Sequence, residues 1–386
     1  MADERGGKEF FFLKKKFSEY YSKNLPLPAE LARREFGFGW DKKIDYRHKA
    51  FASPEEFRYF MANEAPLYCS YSTAYYELPA ARPMEKKGFL GTDIVFDTDR
   101  QYTDEPHKHN SLICPYCLER ARQDALRLHE EFVCGDFGFS PAETSVNFSG
   151  SKGFHVHIAG AAVRQLSQSA RSQLVDYVQA DGVELARLVT GMAGDKEKGK
   201  RTKAAGMRGP GRDSTGWAKK VFDYSAGFVS RASLDSFKEA GFNAKQAEKI
   251  VEEKEFVLKK MGEGNWDAVP GLEKLWKKTV PWTIEKKKVV VDRSVTTDQA
   301  RLIRLPGSLH GDTGLIAKKC NLKTFDPLKD AVAFGSEIVR VRPEEDVVVP
   351  LGGEEREIKA NASVDVPMAA AILLLCKKKA VLVQEY

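Results

Sequence analysis

Apolar positions along this chain change period several times, and each change marks an element. Across residues 9–24, Phe10, Phe11, Phe12, Leu13, Phe17, Tyr20 and Tyr21 stand among lysines, which predicts an amphipathic helix docked on a core. At residues 51–57, Ser53 as N-cap, Pro54 at the first helical position and Glu56 completing a capping box predict a helix start. Residues 64–88 read as short strands and turns. Beyond them Ile94 and Phe96 alternate with Asp93, Val95, Asp97 and Asp99, the pattern of a strand burying one face. A strand pair is expected over 145–159, with Phe154, Val156 and Ile158 on one side and His155 and His157 on the other.

From about 164 to 282 the pattern turns helical and charged. Strand character returns at Val289-Val-Val-Asp292, followed by a helix start at Thr296-Thr297-Asp298. The longest apolar run, 366–376 including Pro367, is too short for the roughly 20 residues of a membrane span and predicts a buried helix ended by Lys377-Lys378-Lys379. The expected organisation is therefore a core begun over 1–163, a helical insertion over 164–280, and the core resumed over 281–386.

Composition narrows this only a little. A length of 386 residues suggests roughly two or three structural units, and 42% hydrophobic with 30% charged residues is ordinary for a soluble chain. A net charge of +6 with pI near 8.8 weakly favours a polyanionic partner. Asp3, Glu4, Arg5 and the Lys14-Lys15-Lys16 run leave no apolar core of signal-peptide length, so a cytoplasmic location is expected. Cysteines at 69, 114, 117, 134, 320 and 376 are too sparse for a disulfide scaffold and fit a reducing interior with one metal site.

The chemistry-bearing residues fall in separated segments. Asp97 and Asp99 share a strand face with α-carbons about 6.6 Å apart, close enough to share divalent ions, and their oxygens suit Mg²⁺ or Mn²⁺. In Ser149-Gly-Ser-Lys-Gly-Phe-His155 a glycine turn joins two strands, and Lys152 with His155 offers cationic donors for a triphosphate. Asp292, at a strand end, is the third metal candidate, whereas Asp298 reads as a first-turn helix carboxylate. Arg301 and Arg304 are expected on one face of the following helix, with His310 after the Pro306-Gly307 turn. Together these segments read as a nucleotide-polymerising centre.

Cys114-Pro-Tyr-Cys117, preceded by His107-Lys-His109, offers four potential ligands within eleven residues for a tetrahedral structural Zn²⁺; a redox Cys-x-x-Cys is the rival reading, which leaves the paired histidines unexplained. Cys134 and His129 are reserve ligands, His129 more simply a packing residue of a helix. A basic stretch at 196–212 reads as a solvated loop, or as a phosphate-contacting arm for template or primer.

Taken in order, Arg34-Glu-Phe-Gly-Phe38, Gly91 through Asp99, Ser149 through Ile158, and Asp292 through Arg301-Leu-Ile-Arg-Leu-Pro-Gly-Ser-Leu-His-Gly311 resemble the catalytic small subunit of the archaeal and eukaryotic DNA primases, archaeal in type. The resemblance implies an α/β (α+β) primase catalytic core with mixed sheets, a zinc-knuckle insertion at about 104–120 and a helical insertion. It implies catalytic metals on Asp97, Asp99 and Asp292, and nucleotide contacts from Ser149, Lys152, His155, Arg304 and His310. The zinc ligands map to His107, His109, Cys114 and Cys117. It further implies a heterodimer with a primase large subunit that makes short primers on single-stranded DNA from nucleoside triphosphates for replication at the nucleoid. The chain departs from the family's usual pattern at His107, Arg100 and Asp312. The rival readings are a primer-extending or repair polymerase of the same superfamily, and a non-catalytic zinc-bearing nucleic-acid-binding subunit.

Overall fold

The stripe Leu13, Phe17, Tyr21 recurs every four residues, so a helix places it on one face. In the computed structural model, helix α1 (Lys8–Lys23) buries that stripe with Phe12 and packs on α2 (Pro54–Glu64). The structure describes residues 7–24, 27–99, 111–184, 188, 207–269 and 272–383. At the head of α2 the Ser53 hydroxyl accepts the Glu56 amide at 3.2 Å. Glu56 reaches back to the Ala52 amide (2.8 Å), one residue before the cap.

The chain divides into two compact units, Met1–Val175 with Val289–Tyr386, and Asp176–Lys288. The first is built on small antiparallel sheets. One has the order β2-β1-β3-β9, from β1 (Phe36–Gly39), β2 (Tyr46–Lys49), β3 (Tyr68–Ser72) and β9 (Leu302–Arg304). In β1 the phenylalanines alternate with glycines. Phe36 and Phe38 join Phe51, Phe57 and Phe60 in an aromatic core, with ring centroids 5.3 Å apart for Phe36–Phe51 and 4.6 Å for Phe38–Phe60. A second sheet, β10-β7-β8-β6, comes from β6 (Ile94–Asp97), β7 (Thr144–Phe148), β8 (Phe154–Ile158) and β10 (Lys318–Lys319).

Two buried charge networks account for the Arg34-Glu35 pair in the sequence. The Arg34 guanidinium lies 3.0 Å from the Asp93 carboxylate and 3.5 Å over the Tyr75 ring, while the Tyr75 hydroxyl donates to the same carboxylate oxygen at 2.8 Å. Glu35 has no solvent exposure. Arg47 meets it at 2.7 Å, His48 at 3.1 Å and the equally buried Lys87 at 3.2 Å. Arg47 continues to the Ala300 carbonyl (2.7 Å), tying this network to the segment before β9.

Toward the C-terminus, β11 (Ile338–Pro343) pairs with both β14 (Val364–Pro367) and β15 (Ala380–Leu382), and alternates exposed and buried residues. The apolar run splits: Val366 belongs to β14, and the helix Met368–Cys376 follows Pro367 with nearly every side chain buried. Among the described residues no helix is long and apolar enough to cross a membrane.

The second unit is helical: Gly216–Arg231, Leu234–Glu239, Ala244–Glu252, Lys254–Gly262 and Leu272–Lys287. Reciprocal capping boxes at Ser233–Ser236 and Asn243–Gln246 start two of them. Its core centres on Trp266 and Trp276, edge to face at 4.5 Å, with the Trp266 indole donating to the Pro210 carbonyl at 2.8 Å. The basic stretch lies outside the described residues except for its last part, residues 207–212.

Candidate functional site

The carboxylates stand where β6 ends. Ile94, Val95 and Phe96 are all buried, so the strand is covered on both faces and not on the one that its alternation suggested. The short helix Arg293–Thr297 lies against it and takes the second face, with the Thr296 hydroxyl donating to the Val95 carbonyl at 2.8 Å. Regular pairing stops at Asp97. Thr98 turns inward to the Phe154 carbonyl, and the Asp99 amide donates to the Asp97 carboxylate at 3.1 Å.

Asp292 arrives differently from its sequence expectation. Val289 and Val291 are buried, but the segment lies in none of the named strands; the Asp292 amide donates to the Asp97 carbonyl (3.0 Å). Asp292 itself caps the helix, accepting the Ser294 amide at 2.9 Å and the Ser294 hydroxyl at 2.7 Å. The helix thus begins four residues earlier than Thr297 and ends there, and Asp298 closes it. Arg301 and Arg304 are not helical: Arg304 ends β9, and Arg301 precedes that strand, 3.9 Å from Asp292. The leucine, isoleucine and two arginines of 301–304 fit either period, and pairing of Ser70 with Arg304 decides for strand.

Burial raises the Asp97 carboxyl to about 7, and the neighbouring charges of Asp99 and Asp292 add to it. Asp99 is also pushed up by burial, against the pull of Lys152 and Lys43. Among the described residues no three His, Cys, Asp or Glu side chains close around one point as ligands would. The donor set nevertheless fits a hard cation: these are acceptor-only oxygens, and their mutual repulsion is what a divalent ion relieves.

Opposite Asp99 lies the glycine turn between β7 and β8. A β-carbon on Gly153 would stand 2.7 Å from the Asp99 α-carbon, and one on Gly150, whose φ is +85°, 2.9 Å from the His310 β-carbon. Both glycines therefore permit close approach. The Ser149 hydroxyl oxygen accepts the Ser151 amide (3.3 Å) and the Gly153 amide (3.2 Å), which leaves its proton to donate outward. Lys152 is exposed at the tip.

His155 is buried and its Nε2 is 3.7 Å from the Asp97 carboxylate. Burial, then His157 and Arg304, hold it down to about 3, so it is a neutral imidazole and not the cationic donor expected from sequence. His157 is likewise neutral, held by burial at about 4.

Arg304 is buried beside the Cys69 carbonyl, 5.2 Å from the Tyr68 ring centroid. His310 follows Gly307, whose φ is +88°. The Asp312 amide donates to His310 Nδ1 at 3.1 Å, which fixes that nitrogen as an acceptor and places the proton of the neutral ring on Nε2. Burial and the charge of Arg304 keep His310 well below its ordinary value. Asp312 accepts the Tyr68 hydroxyl.

These groups face one cavity of about 410 Å³ lined by Asp97, Asp99, Ser149, Lys152, His155, Arg304 and His310. Asp292, busy as a helix cap, is not part of the lining, whereas Asp298 is. Sequence reading missed Lys43, Arg47 and Ser70 on the same wall. Ser70 falls within the 64–88 stretch read as strands and turns, but neither it nor Arg47 carries a local motif that marks it for a site.

The Cys114 and Cys117 side chains lie at the start of α3 (Pro115–Arg127), where the Cys117 amide donates to the Cys114 sulfur at 3.5 Å. His107 and His109 lie outside the described residues. His129 meets the Thr144 hydroxyl (2.9 Å) and the Cys134 sulfur (3.7 Å) beyond the far end of α3. Fifteen helical residues separate His129 from Cys114 by about 20 Å, too far to share an ion.

Small antiparallel sheets that set a carboxylate cluster against a glycine turn and a histidine turn define the architecture to be matched. A family model described as DNA primase small subunit matches residues 96–322, from the end of β6 past β10. The DNA primase small subunit PriS of Methanosarcina acetivorans is 32% identical over 95% of this chain and 95% of its own length. The PriS proteins of Archaeoglobus fulgidus (32%, covering 95% and 96%) and Methanococcoides burtonii (30%, covering 95% and 97%) are similar over as much. The chain belongs to the DNA primase small-subunit family and is of its archaeal type.

Proposed function

We propose that this chain is the catalytic subunit of a DNA primase, joining nucleoside triphosphates into short primers on a single-stranded DNA template during replication. The observation that carries the reading is the meeting, in one cavity of a chain from this family, of Asp97 and Asp99 with the Ser149–Gly153 turn, Arg304 and His310. In the reaction a 3′-hydroxyl attacks the α-phosphorus of the incoming nucleotide and pyrophosphate leaves.

Asp97 and Asp99, joined by Asp292, would hold Mg²⁺ or Mn²⁺, which lowers the pKa of the attacking hydroxyl and offsets phosphate charge. Lys152 and Arg304 supply fixed positive charge to the triphosphate, and Ser149 supplies a hydroxyl proton. His155 and His310 act as neutral N–H donors, so they orient phosphate oxygens without adding charge. Cys114 and Cys117, with His107 and His109, would hold a structural Zn²⁺. A primase large subunit is the expected partner, consistent with the small-subunit name of the relatives.

The test is synthesis on an unprimed single-stranded template with labelled nucleotides and Mg²⁺ or Mn²⁺, for the chain alone and with its large subunit, beside Asp97→Ala. Products that vanish in the variant support the proposal. Extension of primed templates alone would instead make the chain a primer-extending polymerase, and no synthesis under any condition would leave a binding subunit.

A further inference from the structure

The turn between β1 and β2, residues 40–45, has a shape that packing alone does not require. One Asp45 carboxylate oxygen accepts three of its amides, from Trp40 (2.7 Å), Asp41 (3.0 Å) and Lys42 (3.3 Å). The Asp45 amide returns to the Phe38 carbonyl at 2.8 Å, and the Trp40 indole is anchored on the Glu64 carbonyl at 2.8 Å. Gly39 admits no side chain, because a β-carbon would fall 1.7 Å from the Lys42 carbonyl oxygen. The turn is therefore rigid and holds a fixed outline.

What it displays is basic and partly apolar. Lys42 and Lys43 are exposed and, among the described residues, neither is in an ion pair. Tyr46, three residues beyond Lys43, is 45% exposed. Ile44 folds back over Gly37, where a β-carbon would meet Leu302 at 2.6 Å and Ile44 at 3.4 Å. That contact holds the turn at the mouth of the cavity, whose lining includes Lys43, Ile44 and Arg47. Arg47 is itself pinned between Glu35 and Ala300.

A rigid rim with two exposed ammonium groups and an exposed ring, continuous with the candidate cavity, has the two features a single strand needs: cations for its backbone and a π-face for its bases. We propose that the β1–β2 turn is a contact ridge for single-stranded nucleic acid, with Lys42 and Lys43 meeting its phosphates and Tyr46 stacking on a base outside the cavity. This rests on the polymerising reading above and identifies the side from which the strand passes.

The test uses the full chain and a fluorescently labelled oligothymidylate, with EDTA and without nucleotide, read by anisotropy over a salt series. The double variant K42Q/K43Q is expected to flatten the log–log salt dependence by about 1.4, two phosphates at ~0.7 each. Y46A is expected to weaken binding roughly five-fold or more at every salt concentration, and Y46F to keep it. Variants that melt like the parent and bind the oligonucleotide with parental affinity and slope would overturn the proposal. So would a loss of equilibrium affinity for a fluorescent nucleoside triphosphate in K42Q/K43Q with oligonucleotide binding intact, because the ridge would then serve the triphosphate. The assay involves no synthesis, so this inference and the primase reading can fail separately.

Discussion

Gly153 lies against Asp99 so closely that a β-carbon on the glycine would stand 2.7 Å from the aspartate's α-carbon and 2.9 Å from its β-carbon. The obstacle is backbone, which cannot swing aside. Gly153→Ala should therefore move Asp99 or the turn, costing about 1–3 kcal/mol of stability and about a hundredfold in rate. Urea midpoints and kcat on a primed template measure the two losses.

Asp97 gives a pH dependence whose sign follows from burial. Its folded value of about 7 lies above the ordinary 3.8, so the fold favours the protonated form. That contribution is fully present below about pH 4 and is lost as pH rises through 7. In EDTA, Asp97→Asn should melt above the parent at about pH 8 and no higher at about pH 4. Mn²⁺ should raise the parent's melting temperature more at the higher pH, and the variant's little.

Asp292 does two things that a pair of substitutions separates. Its carboxylate caps the helix Arg293–Thr297 and adds charge beside Asp97. Asp292→Ala should lose the cap, about 1 kcal/mol, together with activity. Asp292→Asn should keep most of the stability and still lose synthesis. An active Asp292→Asn would reduce the residue to a cap.

The Glu35–Lys87 pair has no solvent exposure on either partner. Lys87→Met leaves Glu35 with Arg47 and His48 only, and should destabilise the chain by about 3 kcal/mol. The same change should lower activity indirectly, because Arg47 links Glu35 to the Ala300 carbonyl behind the cavity. Thermal melts and nucleotide KM together distinguish the two effects.

Purified chain should carry about one zinc, lost in Cys114→Ser and Cys117→Ser but retained in Cys134→Ser, whose sulfur lies beyond the other end of α3. Metal analysis by mass spectrometry reads this directly.

Most of the site was legible because its residues announce themselves locally. A glycine turn between alternating strands and two aspartates at spacing two are short-range patterns, and the structure brings both to one cavity. What misled was period: Arg301 to Arg304 carries no turn residue to separate strand from helix, and pairing with β3, more than 200 residues earlier, decided it. The charge state of His155 was hidden for a related reason, since burial comes from the sheet around it and not from its neighbours in sequence. Asp298 was assigned to a helix start because threonines precede it, whereas Asp292 had already capped that helix.

β9 and β10 complete their sheets only by reaching back across the whole of residues 176–288. During synthesis the β6 carboxylates and the β7–β8 turn leave the ribosome long before Arg304 and His310 exist. Closing so long a loop is entropically costly, and each doubling of its length adds only about 0.6 kcal/mol. The nascent chain therefore has no complete cavity until its last third emerges.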